Sequence, residues 1–99
     1  MVIEFLTFTV PVDRRTAFLA RDAEVWTAGL AQQPGFLDKE VWVAADDPTQ
    51  VTCVIRWASL AEWKAFPDSR LRELDAQMGD LLMPVSGVRT FDVVPAADG

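Results

Sequence analysis

The 99-residue chain is predicted to fold as an α+β domain of the ferredoxin-like β-α-β-β-α-β kind, a four-stranded antiparallel sheet with its helices on one face. Three observations predict it. Runs of β-branched and aromatic residues alternate with segments of helical periodicity in that order. The second and third runs are separated only by the turn-rich "ADDPTQ", as a hairpin requires. No linker, low-complexity segment or repeat divides the chain, and 99 residues suffice for one hydrophobic core and not two.

The elements follow in sequence. "VIEFLTFTV" is a first strand, closed by Pro11, which cannot continue a ladder. Asp13 stands where an N-cap belongs, and Arg14 to about Gln32 keeps helical spacing until "QPG" at 33 to 35 stops it. "FLDKEVWVA" and "VTCVIRW" are the second and third strands. Ser59 and Glu62 have capping-box spacing and open a short helix through Trp63 to Phe66, ended by Pro67. Asp68 is placed to cap the next helix, whose core side carries Leu71, Leu74, Met78 and Leu81 or Leu82, weakened at Gly79 and stopped by Pro84. "SGVRTFDVV" is the last strand. Residues 1–94 make the domain and 95–99, "PAADG", a frayed polar tail.

Helices cover one face of such a sheet, yet both residue parities of its strands are apolar: Ile3 and Phe5 against Leu6, Phe8 and Val10, and Val51, Cys53 and Ile55 against Val54. A face left to water should be polar. A second sheet is therefore expected on the open face, giving a homodimer joined sheet to sheet.

Composition narrows the function. A net charge of −6 with no basic run gives nucleic-acid phosphates and anionic lipid nothing to bind, so neither nucleic acid nor a membrane is an expected partner. "MVIEFLTFTV" has neither the basic leader nor the small-residue cleavage site of a signal peptide, and no apolar run approaches the ~20 residues of a membrane helix, so a cytoplasmic location is expected. With no His and no Tyr, His-ligated zinc or haem, a Ser-His-Asp triad and a Tyr general acid are excluded by inventory. No metal site is expected; "ADDP" at 45 to 48 reads as a turn. Cys53, within "VTCVI", reads as a buried strand thiol.

One feature of the first helix points to a site. At about 100° per residue, the arc that carries Phe18, Val25, Trp26 and Leu30 also takes in Asp22. On the first strand Val2, Glu4, Leu6, Phe8 and Val10 share a face, so Glu4 and Asp22 are both expected in the layer between sheet and helix. Two buried carboxylates need a counter-charge, for which Arg15, Lys39 and Arg56 are the candidates, or else solvent or a pocket. The functional reading is a cleft with Asp22 and Glu4 as catalytic carboxylates and Trp26, Trp63, Phe66 and Arg56 as substrate-binding residues. The bland reading is an Asp22 that pairs with a cation or reaches water, and tryptophans that are packing, with Trp42 and Trp57 in the core or the dimer interface.

The opening "EFLTFTVP", the helical "DAEVWT", the hairpin start "PGFLDKEVWV" and the strand-to-helix passage "VIRWASLAEW" resemble the dimeric α/β-barrel proteins of the antibiotic biosynthesis monooxygenase superfamily. The resemblance spans essentially the whole chain and implies a dimeric α/β barrel. It also implies a set of activities: quinol oxidation, haem degradation, other cofactor-free catalysis. The haem-degrading members use an Asn on the first strand, a Trp after the third and a His beyond it, positions that fall near Glu4, near Trp63 or Phe66, and near Ala76; the iron ligand is missing here. The expectation is a monooxygenase that needs no cofactor and acts on a small aromatic or quinol-type substrate. In it a carboxylate removes a proton from a phenol or enol, and the anion reacts with oxygen. The alternative is a non-catalytic small-ligand-binding or purely dimeric domain of the same fold.

Overall fold

The computed structural model describes residues 1–97. Its strands are β1 (Val2–Thr9), β2 (Phe36–Val43), β3 (Gln50–Trp57) and β4 (Val85–Asp92), and its helices α1 (Arg15–Asp22), α2 (Ala28–Ala31), α3 (Leu60–Lys64) and α4 (Asp68–Met78). A π-helical turn, Ala23–Thr27, joins α1 to α2, and 3-10 turns precede α1 (Val12–Arg14) and follow α4 (Gly79–Leu81). The strands form one antiparallel sheet in the order β2-β3-β1-β4, which is the ferredoxin-like arrangement. Of the expected tail, residues 98 and 99 lie outside the described residues.

Two expected helix caps are corrected. Asp13 lies inside the 3-10 turn, and α1 is entered from Arg14 without a side-chain cap. Pro11 is the reason: its fixed φ starts the turn early, and its carbonyl accepts from the Arg14 N–H at 2.9 Å. Asp68 is the first residue of α4, and Pro67 is the N-cap, its carbonyl accepting from the N–H groups of Arg70 and Leu71, each at 3.0 Å. Asp68 still contributes as a negative charge in the first turn. Ser59 does cap α3: its Oγ accepts from the Glu62 N–H at 3.1 Å and donates to Glu62 Oε1 at 2.9 Å.

The helix-side face of the sheet carries Val2, Glu4, Leu6 and Phe8 of β1 opposite Trp57, Ile55, Cys53 and Val51 of β3. Trp57, Phe18, Leu74, Met78, Val10 and Val51 are the large side chains sealed in this layer. Each contributes about 1.5–3 kcal/mol by leaving water. The first helical stretch reaches α4 closely because Gly29 has no Cβ; one built there would stand 2.8 Å from the Leu74 methyl carbons.

In β2 a bulge decides which side chains enter the layer. Phe36 pairs with Trp57 but Asp38 pairs with Arg56, so Leu37 is an extra residue and Lys39 falls opposite Ile55. A one-residue shift moves every later side chain to the other face. Phe36 and Lys39, three positions apart, therefore share the helix side, while Asp38, Glu40 and Trp42 share the open side with Phe5, Val54, Arg56 and Phe91.

Gly35 shapes the approach to that bulge. Its φ is 84°, its carbonyl accepts from the Ala58 N–H at 2.7 Å, and a Cβ there would overlap the Glu62 side chain. The turn before β2 is thus pressed against the β3–α3 junction with room for glycine alone. Gly35→Ala is expected to lower stability by about 1–3 kcal/mol, read as a fall in the urea midpoint at unchanged slope; an unchanged midpoint would show that the turn can relax.

Candidate functional site

The face that β1, β3 and Lys39 present to the helices is not filled by the core. Between sheet and helices lies a cavity of about 600 Å³. Its floor is Glu4, Leu6, Cys53, Ile55 and Lys39 from the sheet, and its walls include Asp22 and Trp26 from the first helical stretch and Trp63 and Phe66 from α3 and the turn after it. Five of the six residues expected at a site, Asp22, Glu4, Trp26, Trp63 and Phe66, line this one space. Arg56 does not: odd and even positions of β3 face opposite ways, and its Nη1 is bound on the open face to Asp38 at 3.0 Å and Glu40 at 2.7 Å.

Asp22 has the partner that burial demands. Lys39 Nζ stands 2.6 Å from Asp22 Oδ2, with the two side chains 3% and 7% exposed, so the pair is almost wholly out of water. The same ammonium donates to Thr27 Oγ1 at 3.0 Å. Asp22 and Thr27 are five positions apart and in an α-helix would diverge by about 140° at 100° per residue. The π-helical turn between them, in which bonds run from i to i+5, brings such residues one above the other and so makes both available to one cation. Of the three candidate counter-charges Lys39 is the one used; Arg15 donates instead to the Pro48 carbonyl at 2.9 Å.

Glu4 is held differently. Its Oε1 accepts from the indole N–H of Trp57 at 3.1 Å, and Trp57 is itself fixed edge-on between Phe36 and Phe66. Burial pushes the Glu4 carboxyl above its ordinary value, the Trp57 bond and the charges of Lys64 and Lys39 opposing it only in part. Cys53 lies beneath both carboxylates; burial first, then the charges of Asp22 and Glu4, push its thiol up to about 12, so it is a neutral part of the floor. At the mouth, Lys64 Nζ lies 4.2 Å from the centre of the Trp63 ring. The chamber thus offers a hydrogen-bonded carboxyl with a raised pKa at Glu4, a second carboxyl raised by partial burial at Asp75 of α4, one buried ion pair, the Lys64 ammonium, and aromatic walls.

Two contributors have site roles that a sequence reading with β2 as a regular strand leaves open, naming Lys39 only as one of three possible counter-charges and Trp57 only as core or interface. Lys39 belongs to the site because of the bulge; its signal is that Lys39, Val41 and Val43 alternate with Asp38, Glu40 and Trp42, the charged residue falling on the more apolar parity. Trp57 is core, as its strand position suggests, and also the donor to Glu4. Among the described residues no group of three His, Cys, Asp or Glu side chains could hold a metal ion.

The family model described as antibiotic biosynthesis monooxygenase matches residues 1–73. Among curated proteins none matches the chain. Among solved structures the chain is similar to SnoaB from Streptomyces nogalater, described as a cofactor-independent oxygenase, at 19% identity over 99% of this chain and 97% of that one, with a TM-score of 0.69. It is similar to Rv0793 from Mycobacterium tuberculosis at 22% identity over 97% of both chains, TM-score 0.68. MupZ from Pseudomonas fluorescens matches at 17% identity over 90% of this chain and 65% of that one, TM-score 0.71. At these identities the structures speak to the fold.

The raised Glu4 carboxyl has a consequence for stability. The unfolded chain holds it at the ordinary 4.5. Between that pH and the folded pKa the native state therefore binds more protons than the unfolded one, and stability falls as pH rises through the window. Glu4→Gln removes this loss while keeping an acceptor for Trp57. The variant is expected to be more stable than the parent at neutral pH, by about 1.4 kcal/mol for each tenfold gain in proton affinity that folding gives the carboxylate, with the gap closing below pH 4.5. Equal pH dependence of urea unfolding in the two proteins would contradict the raised carboxyl.

Proposed function

The chain belongs to the antibiotic biosynthesis monooxygenase family, and on that premise we propose that it is a monooxygenase needing no cofactor, which oxidises a small aromatic or quinol-type substrate in the cavity between sheet and helices. The observation that carries the reading is the Glu4 carboxyl, hydrogen-bonded by Trp57 and pushed up by burial inside an aromatic-walled cavity. A carboxylate made more basic in this way is suited to take a proton from a phenol or enol at near-neutral pH. Asp22, whose carboxylate is committed to Lys39 at 2.6 Å, acts by holding that lysine; Glu4 is the base. Trp26, Trp63 and Phe66 hold the ring and keep water away from it.

The reaction balances with dioxygen as sole oxidant. Glu4 takes the phenolic proton; the electron-rich anion passes electrons to oxygen, and a carbon–oxygen bond forms at a hydrogen-bearing ring carbon ortho or para to the hydroxyl. Protonation of the resulting peroxide by Glu4 restores the carboxylate. Loss of water, made from the ring-carbon hydrogen and the outer peroxide oxygen with its proton, leaves a quinone that keeps one oxygen atom of O₂. The substrate gives up four electrons and the two oxygen atoms receive them.

The open face supports a homodimer joined sheet to sheet. Phe5 meets Trp42 and Phe91 edge-on at 6.2 and 5.5 Å, and beneath them Val54 is 1% exposed while Trp42 itself remains 48% exposed. An aromatic cluster of this extent on a sheet face suits burial against a second copy. No helix among the described residues is long and apolar enough to cross a membrane, and the reading places no membrane or nucleic acid among the partners.

Oxygen uptake over a panel of hydroquinones and fused-ring phenols tests the activity. One O₂ should be consumed per substrate, with one labelled atom from ¹⁸O₂ in the product. Glu4→Gln should lower turnover by about 10²–10⁴-fold, and the acid limb of the parent's pH–rate profile should lie above 4.5. Uptake by no member of the panel would favour the alternative, a ligand-binding or purely dimeric domain. For the assembly, Trp42→Glu should convert a dimer to a monomer in sedimentation equilibrium with its far-ultraviolet dichroism intact; a parent that sediments as a monomer would refute the interface.

A further inference from the structure

We infer that Lys39 is the anion pole of the cavity and that the ligand it takes is a phenol or enol bound as its oxyanion. The inference rests on reading the cavity as a phenol site and adds which ionisation state that site selects and which side chain selects it. An ammonium carries three N–H donors. Two are engaged, by Asp22 Oδ2 at 2.6 Å and Thr27 Oγ1 at 3.0 Å, and among the described residues the third has no protein acceptor. Lys39 also lines the cavity. It therefore brings a donor to that space with a full positive charge behind it.

The setting strengthens that donor. The lysine side chain is 3% exposed, sits on a strand opposite Ile55 and has Leu6 and Cys53 for neighbours in the cavity floor, so solvent screens its charge weakly. It is also fixed in advance: Asp22 and Thr27 hold Nζ from the helix side, so no reorganisation accompanies arrival of an anion. Without ligand, Asp22 balances the charge and makes the buried lysine tolerable. With ligand, Lys39 bridges two oxyanions, one permanent and one borrowed. A neutral hydroxyl gains much less from such a donor than an oxyanion does, since only the oxyanion adds a charge–charge attraction that weak screening leaves strong. Proton and charge then part within one chamber, the proton to Glu4 and the oxygen's charge to Lys39. The other titratable groups lining it are Glu4 of β1, Asp22 of α1, Cys53 of β3, Lys64 of α3, and Asp68 and Asp75 of α4.

A chromophoric phenol tests this directly. para-Nitrophenol is yellow as the phenolate and colourless as the phenol, so its absorbance reports ionisation while calorimetry reports binding. Bound to the full chain, its apparent pKa should fall by about one unit or more, a tenfold or greater preference for the anion. Lys39→Met alone strands Asp22 as a buried unpaired carboxylate and threatens the fold. The informative variant is therefore Lys39→Met with Asp22→Asn, in which both charges are gone: it should bind the probe with no fall in the probe's pKa. Glu4→Gln should keep the fall. If the parent binds the probe as the colourless phenol, or if the double variant still lowers the probe's pKa, Lys39 is not the anion pole, and oxygen uptake can still uphold the proposed activity. If the parent binds no probe, the inference falls together with the phenol-site reading beneath it.

Discussion

A lysine and an aspartate, both almost wholly out of water, tie the edge strand of this sheet to the helix that covers it. Lys39 reaches from β2 and Asp22 from the end of α1, and their oxygen–nitrogen separation of 2.6 Å is that of a charge-assisted bond. An ion pair so placed is a weak source of net stability, because the desolvation of both partners offsets most of their attraction. Its force lies in what it forbids. Any arrangement that separates β2 from α1 leaves a buried charge without a partner, so the two elements are held in one relation, and the cavity beside them keeps one shape.

Two local irregularities make that pair. The bulge at Leu37 turns Lys39 inward, and the π-helical turn at Ala23–Thr27 stacks Thr27 over Asp22 so that both meet the ammonium. Each departure from regular geometry sacrifices part of a hydrogen-bond ladder. They lie on facing elements and converge on one atom, Lys39 Nζ. Glu4, by contrast, comes from the regular stretch of β1 and takes its donor from the equally regular β3. The chamber therefore has a stiff half, sheet carboxyl and indole, and a half whose form depends on two matched distortions.

That division also explains what could be read from the residues alone. The order and type of the elements were legible because strand alternation, the "QPG" stop, the Ser59 cap and the leucine spacing of α4 are local signals. So was the meeting of Asp22 with Glu4, which needs only a helix face and a strand parity. The caps at Asp13 and Asp68 failed because a neighbouring proline set the backbone before the side chain could. Arg56 could not be excluded, since which strand parity faces the helices is a property of packing. Lys39 could be named as one of three cations but not chosen, because a bulge has a weak sequence signature and this one inverts the face.

The bulge in β2 has a consequence for how such a domain can diverge. Beyond Leu37 the strand's two faces differ in chemistry: Lys39 on one, Asp38 and Glu40 on the other. If the bulge were paired out with no residue lost, Asp38 would fall opposite Ile55 and Lys39 opposite Val54, exchanging the faces at unchanged composition. The Lys39 ammonium would leave the interior for solvent and acids would enter beside Asp22 and Glu4, crowding negative charge where Lys39 now pairs with Asp22. In this scaffold the electrical sign of the interior is written in the register of one strand, so a slip of one residue can reset its ligand preference more completely than a change in any one side chain.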